Sequence, residues 1–286
     1  MPAKTSERYS NDGANTEQVR QLYLDLLKKC LMNTIYEDLP APAFVIAEQL
    51  VHYTQYSAER RLAGQDWPSK AHTMIGLHRL NNIQALAVDV LDSAVEGDFI
   101  EAGVWRGGAT IFMRGILKAY GVHNRCVWVA DSFCGFPKPE QVSELSYSSP
   151  GSKLFQKERI SETPSLLSSV ELLQQGTQLD EVKNNFERYG LLDEQVKFIQ
   201  GFFHDTLPSA PVEKIAILRA DGDLYDSTFA ILESLYPRVS SGGYVIIDDY
   251  YSFHECRLAV SEYLRTNNSQ VDLVQIDNDA VFWKKK

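Results

Sequence analysis

The chain has 286 residues, 44% hydrophobic and 23% charged, which is the make-up of a globular α/β protein long enough to bury one large core. A formal charge of −10 leaves no cationic face to meet phosphates and excludes a generic nucleic-acid binder. No apolar run reaches the about 18 residues of a membrane span. Cys30, Cys126, Cys134 and Cys256 form no CxxC pair, and the polar stretch Met1–Asn15 has no signal core. The expectation is a cytoplasmic protein with reduced thiols and no membrane or nucleic-acid partner.

In chain order, residues 1–15 read as a flexible tail and 16–95 as a helical N-terminal cap. Val19, Leu22, Leu24, Leu26, Leu27 and Leu31 recur at helical spacing over Thr16–Met32. A proline-containing turn follows at 33–44, a second helix at 44–54, and a loop over Arg61–Lys70. The period is helical again over Thr73–Val95, through Leu77, Leu80, Ile83, Leu86, Val88 and Leu91. From residue 96 the pattern changes. Strands are predicted at Phe99–Gly103, Cys126–Ala130, Val196–Gln200, Ile215–Arg219 and Tyr244–Ile247, and finally at 271–275 and 280–283. Helices fit at Thr110–Tyr120, 227–236 and 254–265. Alternating strands and helices imply an α/β, Rossmann-like, mostly parallel sheet of seven strands over 96–286. The last two strands form an antiparallel edge pair about Asn278 and Asp279. An insertion at 138–195, rich in Ser, Pro and Lys in its first half, reads as a lid.

Three motifs carry chemistry. FIEAGVWRGGAT (99–110) ends a strand in an acid and opens a helix through glycines. Its E-x-G-x-x-x-G-G spacing fits the amino-acid part of S-adenosylmethionine better than a dinucleotide pyrophosphate, at the carboxyl end of a strand where α/β sheets bind ligands. In VWVADSFCGFP (127–137), Asp131 can accept ribose hydroxyls; the alternative is a turn cap. Finally, IAILR runs into Asp221 and Asp223, and YVII runs into Asp248 and Asp249. Neighbouring parallel strands would bring Asp221, Asp248 and Asp249 together. Clustered carboxylates repel unless a cation offsets them, and hard oxygen ligands suit Mg²⁺. The alternative is capping, the reading preferred for Asp223 and Asp226.

ADGDLYDST (220–228), SGGYVIIDDY (241–250) and the two motifs above resemble the macrocin O-methyltransferase family. LYLDLLKKCLMNTIYED (22–38) and TMIGLHRLNNIQ (73–84) resemble its helical N-terminal part. The resemblance covers about residues 20 to 284 and is weakest in the insertion. It implies a class I methyltransferase fold, S-adenosylmethionine, Mg²⁺, and a hydroxyl of a natural-product sugar or polyketide moiety as acceptor. It implies that Glu101, Gly103, Val104 and Thr110 meet the cofactor, with Asp131 and Ser132 at the ribose. Met74 and Ile75 would cover the cofactor, and Gly201 and Phe202 would flank the adenine. Asp221, Asp248 and Asp249 match the metal positions, and Asp221 is also a candidate base.

Among the histidines, His254 is preferred over His204 and His78 as a base because it closely follows the aspartate pair. Tyr250 and Tyr251 could line the acceptor pocket or pack as its wall, and Arg106 could pair with an acid or face solvent. An NAD(P)-linked oxidoreductase lacks its G-x-G-x-x-G and Tyr-x-x-x-Lys signatures here. A non-catalytic binding member of the fold would sit oddly with intact aspartates. Apolar helical faces near the N-terminus suggest a homo-oligomer.

Overall fold

The computed structural model describes residues 12–41, 44–46, 49–51, 53–150, 152–153 and 176–286. The first helix, α1, spans Asp12–Leu31. Residues 12–15, expected in the tail, thus belong to this helix, and residues 1–11 lie outside the described ones. Where a second helix was expected, β1 (Phe44–Ile46) pairs antiparallel with β2 (Gln49–Val51). Three β-branched residues in this short segment, Val45, Ile46 and Val51, favour the extended backbone. The expected loop from Arg61 instead opens inside a helix, α2 (Ala58–Ala63). Ser57 caps its start by accepting the Arg60 amide, and left-handed Gly64 ends it.

Helix α3 (Gly76–Asp92) leads into β3 (Asp98–Ala102), α4 (Gly108–Ala119) and β4 (Val127–Asp131). Within the 138–195 insertion, residues 154–175 lie outside the described ones. Short 3₁₀ turns occupy Pro139–Gln141 and Glu144–Tyr147. The insertion's last third is no lid. It forms α5 (Leu179–Arg188), whose Val182 and Phe186 are fully buried and so make it the crossover helix of the sheet. Then follow β5 (Val196–Gln200), α6 (Phe203–Thr206), β6 (Ile215–Ala220), α7 (Tyr225–Leu235), β7 (Val239–Ile247), α8 (His254–Thr266), β8 (Val274–Gln275) and β9 (Val281–Lys284).

Among the described residues seven strands form one sheet, ordered β5-β4-β3-β6-β7-β9-β8. The first five run parallel, and β9 pairs antiparallel with both β7 and β8. This is the expected architecture. All six residues of β6 are buried, as befits a strand covered on both faces. Alternate residues feed two cores. Phe99, Val129 and Ile217 pack with Leu24, Leu27 and Leu31 of α1, Ile83 of α3, and Phe112 of α4. On the other face Ile100, Leu218 and Val245 pack with Ile231 of α7 and Val260 of α8. Each fully buried Leu or Phe contributes roughly 1.5–3 kcal/mol. The cap is thus built into the first core rather than resting on it.

A buried ion pair shapes the cap. Arg61 donates to Asp38 and Asp66, each at 2.7 Å, and Asp38 in turn accepts the Lys70 amide at 2.6 Å. Arg106 donates to the carbonyls of Pro68 at 3.1 Å and Ala71 at 2.8 Å, so it faces neither an acid nor open solvent. Together they lay the chain before α3 against the start of α4. A Cβ on Gly108 would fall 2.3 Å from the His72 carbonyl oxygen, so only glycine allows this approach.

Candidate active site

The chain order of the sheet reverses beside β3, with β4 on one side and β6 on the other. A crevice must open at the carboxyl ends of such strands. There lies a cavity of about 420 Å³, roofed by His72–Ile75 and bordered on its far side by Asn278 and Asp279. Met74, Ile75, Glu101, Gly103, Val104, Asp131, Ser132 and Phe202 line it, as expected of cofactor contacts.

Gly103 turns at φ +92°, which brings the chain against Asp221 and opens the turn into α4. Asp131 accepts the Val104 amide through Oδ2 and the Phe133 amide through Oδ1, both at 2.8 Å. It therefore caps two turns while still lining the cavity. Burial pushes its carboxyl above the usual range. Two expected contacts do not reach the cavity. Thr110 is fully buried and donates to the Gly107 carbonyl at 2.8 Å, holding the turn from within. Gly201, at φ +140°, is absent from the lining, and a Cβ there would fall against the Thr206 side chain.

Beside this turn stands a network of buried charges. Glu101 accepts from Arg219 Nη1, which also donates to Asp221 at 2.6 Å, while Arg219 Nη2 pairs with Asp248. Arg79 holds the other Asp248 oxygen at 2.6 Å. Burial pushes the Glu101 carboxyl up to about 8, with Arg219 opposing and Asp221 and Asp248 reinforcing. Burial also pushes on Asp248, but Arg219 and Arg79 more than reverse it and hold that carboxyl below the usual range.

The expected metal trio is therefore regrouped. Asp221, Asp223 and Asp249 bring carboxylate oxygens within 4.8 Å of one another, and Asp248 stands outside, engaged by two guanidiniums. Asp223, read from the sequence as a cap, enters the group because its left-handed backbone (φ +54°) bends the chain after β6. Burial raises the carboxyls of all three: at Asp221 Arg219 opposes it and Asp248 reinforces it, and at Asp223 and Asp249 the neighbouring carboxylates reinforce it. Asp249 Oδ2 is buried without a hydrogen-bond partner. Three carboxylates offset by Arg219 at Asp221 alone form an all-oxygen group that fits a hard divalent cation. Glu101 Oε2 is likewise buried without a partner in the cavity wall, and fits the ammonium of the cofactor's methionine end.

His254 is misplaced as a base. It opens α8 on the exposed face, 3.4 Å from Arg257, and does not line the cavity. A five-residue spacing from Asp249 was no guide to direction, since the intervening turn carries the chain outward. His254→Ala is expected to leave kcat/KM within about twofold, as for other surface changes; a loss above about tenfold in initial rates would restore it to the mechanism. His204 lines the cavity but is exposed and paired with Asp205 at 3.2 Å, and His78 is exposed. His72, not singled out by the sequence, lines the cavity and shares a hydrogen bond with Tyr189 at 2.7 Å. Burial, aided by Arg188 and Arg106, pushes its imidazole down to about 4. Tyr251 borders the cavity.

Sequence reasoning missed Arg79 and Arg219, although both left a signal. Arg219 interrupts the apolar strand IAILRA, and Arg79 falls on the buried stripe of α3 with Gly76, Leu80 and Ile83. A charge at such a place requires buried partners of opposite sign.

Residues 20–285 match the family described as Macrocin-O-methyltransferase (TylF). The chain is 46% identical over 269 residues to 8-demethyl-8-(2,3-dimethoxy-alpha-L-rhamnosyl)-tetracenomycin-C 4'-O-methyltransferase of Streptomyces olivaceus, covering 94% of each chain. It is 46% identical to demethyldecarbamoylnovobiocin O-methyltransferase of Streptomyces niveus, covering 94% of this chain and 95% of that one. It is 45% identical to mycinamicin III 3''-O-methyltransferase of Micromonospora griseorubida, covering 93% and 96%. Among solved structures, the O-methyltransferase NovP superposes with a TM-score of 0.79 at 45% identity, covering 93% of this chain and 99% of that one.

Proposed function

Because the chain belongs to the macrocin O-methyltransferase family and is an S-adenosylmethionine-dependent O-methyltransferase, we propose that it methylates a hydroxyl on a sugar or polyketide moiety of a natural product, assisted by Mg²⁺. One observation carries this reading: the group Asp221, Asp223 and Asp249 shares a cavity with the Gly103 turn and Asp131. The oxidoreductase and binding-only alternatives both give way to the relatives, all named O-methyltransferases.

When bound, S-adenosylmethionine supplies an electrophilic methyl group and Mg²⁺ supplies Lewis acidity that lowers a hydroxyl's pKa. Glu101 and the Gly103–Val104 turn hold the methionine end, Asp131 and Ser132 the ribose, and Met74, Ile75 and Phe202 enclose the remainder. Asp221 and Asp249 hold the cation, with Asp223 as the third carboxylate; Asp248, the position expected from sequence, acts through its arginines. Asp221, which adjoins the Gly103 turn and belongs to the carboxylate group, would accept the proton of the acceptor hydroxyl. The cap segment, Phe136 and, from the insertion, Val142 line the cavity and would help to exclude water from it. Alignment of the reacting groups supplies much of the remaining acceleration.

Titration of S-adenosylhomocysteine into the purified protein, with Mg²⁺ and then with EDTA, tests the cofactor half; absence of heat in both would remove it. A panel of glycosylated and polyketide hydroxyl acceptors tests the other half, and turnover only on simple catechols would redirect the acceptor class. Asp131→Asn is expected to weaken S-adenosylhomocysteine about 10–100-fold, the worth of a hydrogen bond to a charged group. Unchanged affinity by calorimetry would reduce Asp131 to a turn cap.

Among the described residues no helix is long and apolar enough to cross a membrane. The substrate is a small molecule, and the acidic surface supports no role for nucleic acid. On α1, Val19, Leu22 and Leu26 are exposed, which supports self-association through that helix; sedimentation of the full chain tests it.

A further inference from the structure

Arg79 comes from the cap, yet it is 7% exposed and lines the cavity. Its three nitrogens reach three carboxylates from two other parts of the chain. Nη1 bonds Asp248 at 2.6 Å, Nε bonds Asp277 at 2.7 Å, and Nη2 bonds Asp279. The two hairpin acids are tied in further. Asp277 Oδ1 accepts the amides of Asp279 and Ala280, both at 2.9 Å, which sets the turn between β8 and β9. Asp279 accepts the Ser252 hydroxyl at 2.7 Å, and its carbonyl accepts the Tyr251 amide at 2.8 Å. The loop after β7, which carries Asp248 and Asp249, is thereby fastened to the hairpin turn at both its start and its middle.

The sheet order gives this fastening a direction. From β4 through β3, β6 and β7 to β9, the strand ends present Asp131, Gly103, Asp221, then Asp248 and Asp249, then the turn. The cofactor residues stand at the β4–β3 end and Arg79 acts at the opposite one. Asp248 cannot move without carrying the adjacent Asp249 with it.

We propose that Arg79 is a positioning residue that locks the loop after β7 to the β8–β9 turn, so that Asp249 keeps its place beside Asp221 and Asp223. The inference rests on the cation reading above and adds to it a residue to which the sequence reading gave no role. The guanidinium meets the three carboxylates through three separate nitrogens of a rigid fork, a spacing that a single ammonium nitrogen does not reproduce. Arg79→Lys keeps the charge, so any loss of cation affinity reports misplacement rather than changed electrostatics.

The test uses the full chain, with Mn²⁺ binding followed by electron paramagnetic resonance and metal-free S-adenosylhomocysteine binding followed by calorimetry. Arg79→Lys is expected to weaken Mn²⁺ by about tenfold or more, the usual consequence of losing a residue that orients a metal ligand, with S-adenosylhomocysteine affinity unchanged within about twofold. Asp277→Asn leaves the turn amides an acceptor and removes one arm of the clamp; it should weaken Mn²⁺ by about threefold or more, and it decides the matter if Arg79→Lys does not fold. Wild-type Mn²⁺ affinity in these variants overturns the proposal and leaves the cation site standing. A parallel loss of S-adenosylhomocysteine binding also overturns it, since the role would then be general stability. No Mn²⁺ binding by the wild type removes the cation site and this proposal together.

Discussion

Asp249→Asn is expected to lower kcat/KM by on the order of 10²–10³-fold while sparing S-adenosylhomocysteine binding, because a Lewis acid at a reacting oxygen is worth several kcal/mol. The substitution keeps the side-chain volume and removes one charge from the group Asp221, Asp223 and Asp249. Its wild-type counterpart is buried, with one oxygen lacking a hydrogen-bond partner, so little of the fold depends on it. The check is the initial rate against Mg²⁺ concentration, with an EDTA-treated control. A variant that keeps full Mg²⁺-dependent turnover would sink the cation role. The same group sets a pH dependence. Its carboxyls are raised chiefly by burial, so protons compete with the cation for the site. As pH falls below neutrality, the Mg²⁺ needed for half-maximal rate should therefore rise.

Gly103→Ala is the second large effect, and here the fold and the site fail together. A Cβ at this position would fall 1.8 Å from the Asp221 carbonyl oxygen, which is backbone and has no rotamer to yield. The residue also sits at φ +92°, where an L side chain is strained. Strain and overpacking each cost about 1–3 kcal/mol, so a loss of about 3 kcal/mol or more is expected. Relief would require β3 and β6 to separate at the point where the Asp221 amide donates to the Ala102 carbonyl at 2.8 Å. Asp221 would move with its backbone, and both S-adenosylhomocysteine binding and turnover should be lost. Gly121 gives the control, for it has φ +65° but no heavy atom within 4 Å of the point a Cβ would occupy. Gly121→Ala carries the dihedral cost without the collision and should lose only about 1 kcal/mol. Equal denaturation midpoints for the two variants would show that the approach of Gly103 to Asp221 has slack.

Much of this architecture was legible as pattern. The strand Val196–Gln200 appears where its residues predict it, and β6, α7 and α8 agree with their expected bounds within two residues, because long-range contacts there reinforce the local period. The segment 44–51 went the other way. Its apolar residues suit either period, and pairing of Phe44–Ile46 with Gln49–Val51 settled it as a hairpin. The cofactor turn was readable because glycine and acid act through the backbone next to them. Glu101, Gly103 and Asp131 are placed by the strand ends on which they sit.

By itself, then, the sequence determined the parallel sheet, the order of its motifs and the presence of several carboxylates at neighbouring strand ends, since each follows from periodicity and from chain-local stereochemistry. Which carboxylates group was decided only by the tertiary structure. Asp248 and Asp249 are adjacent in the chain, yet one is drawn to Arg79 and Arg219 while the other turns to Asp221 and Asp223. His254, close behind the aspartate pair in the chain, ends up facing outward. The physical reason is that a charge in a low-dielectric interior goes to its nearest compensating partner, and that partner here lies up to 169 positions distant in sequence.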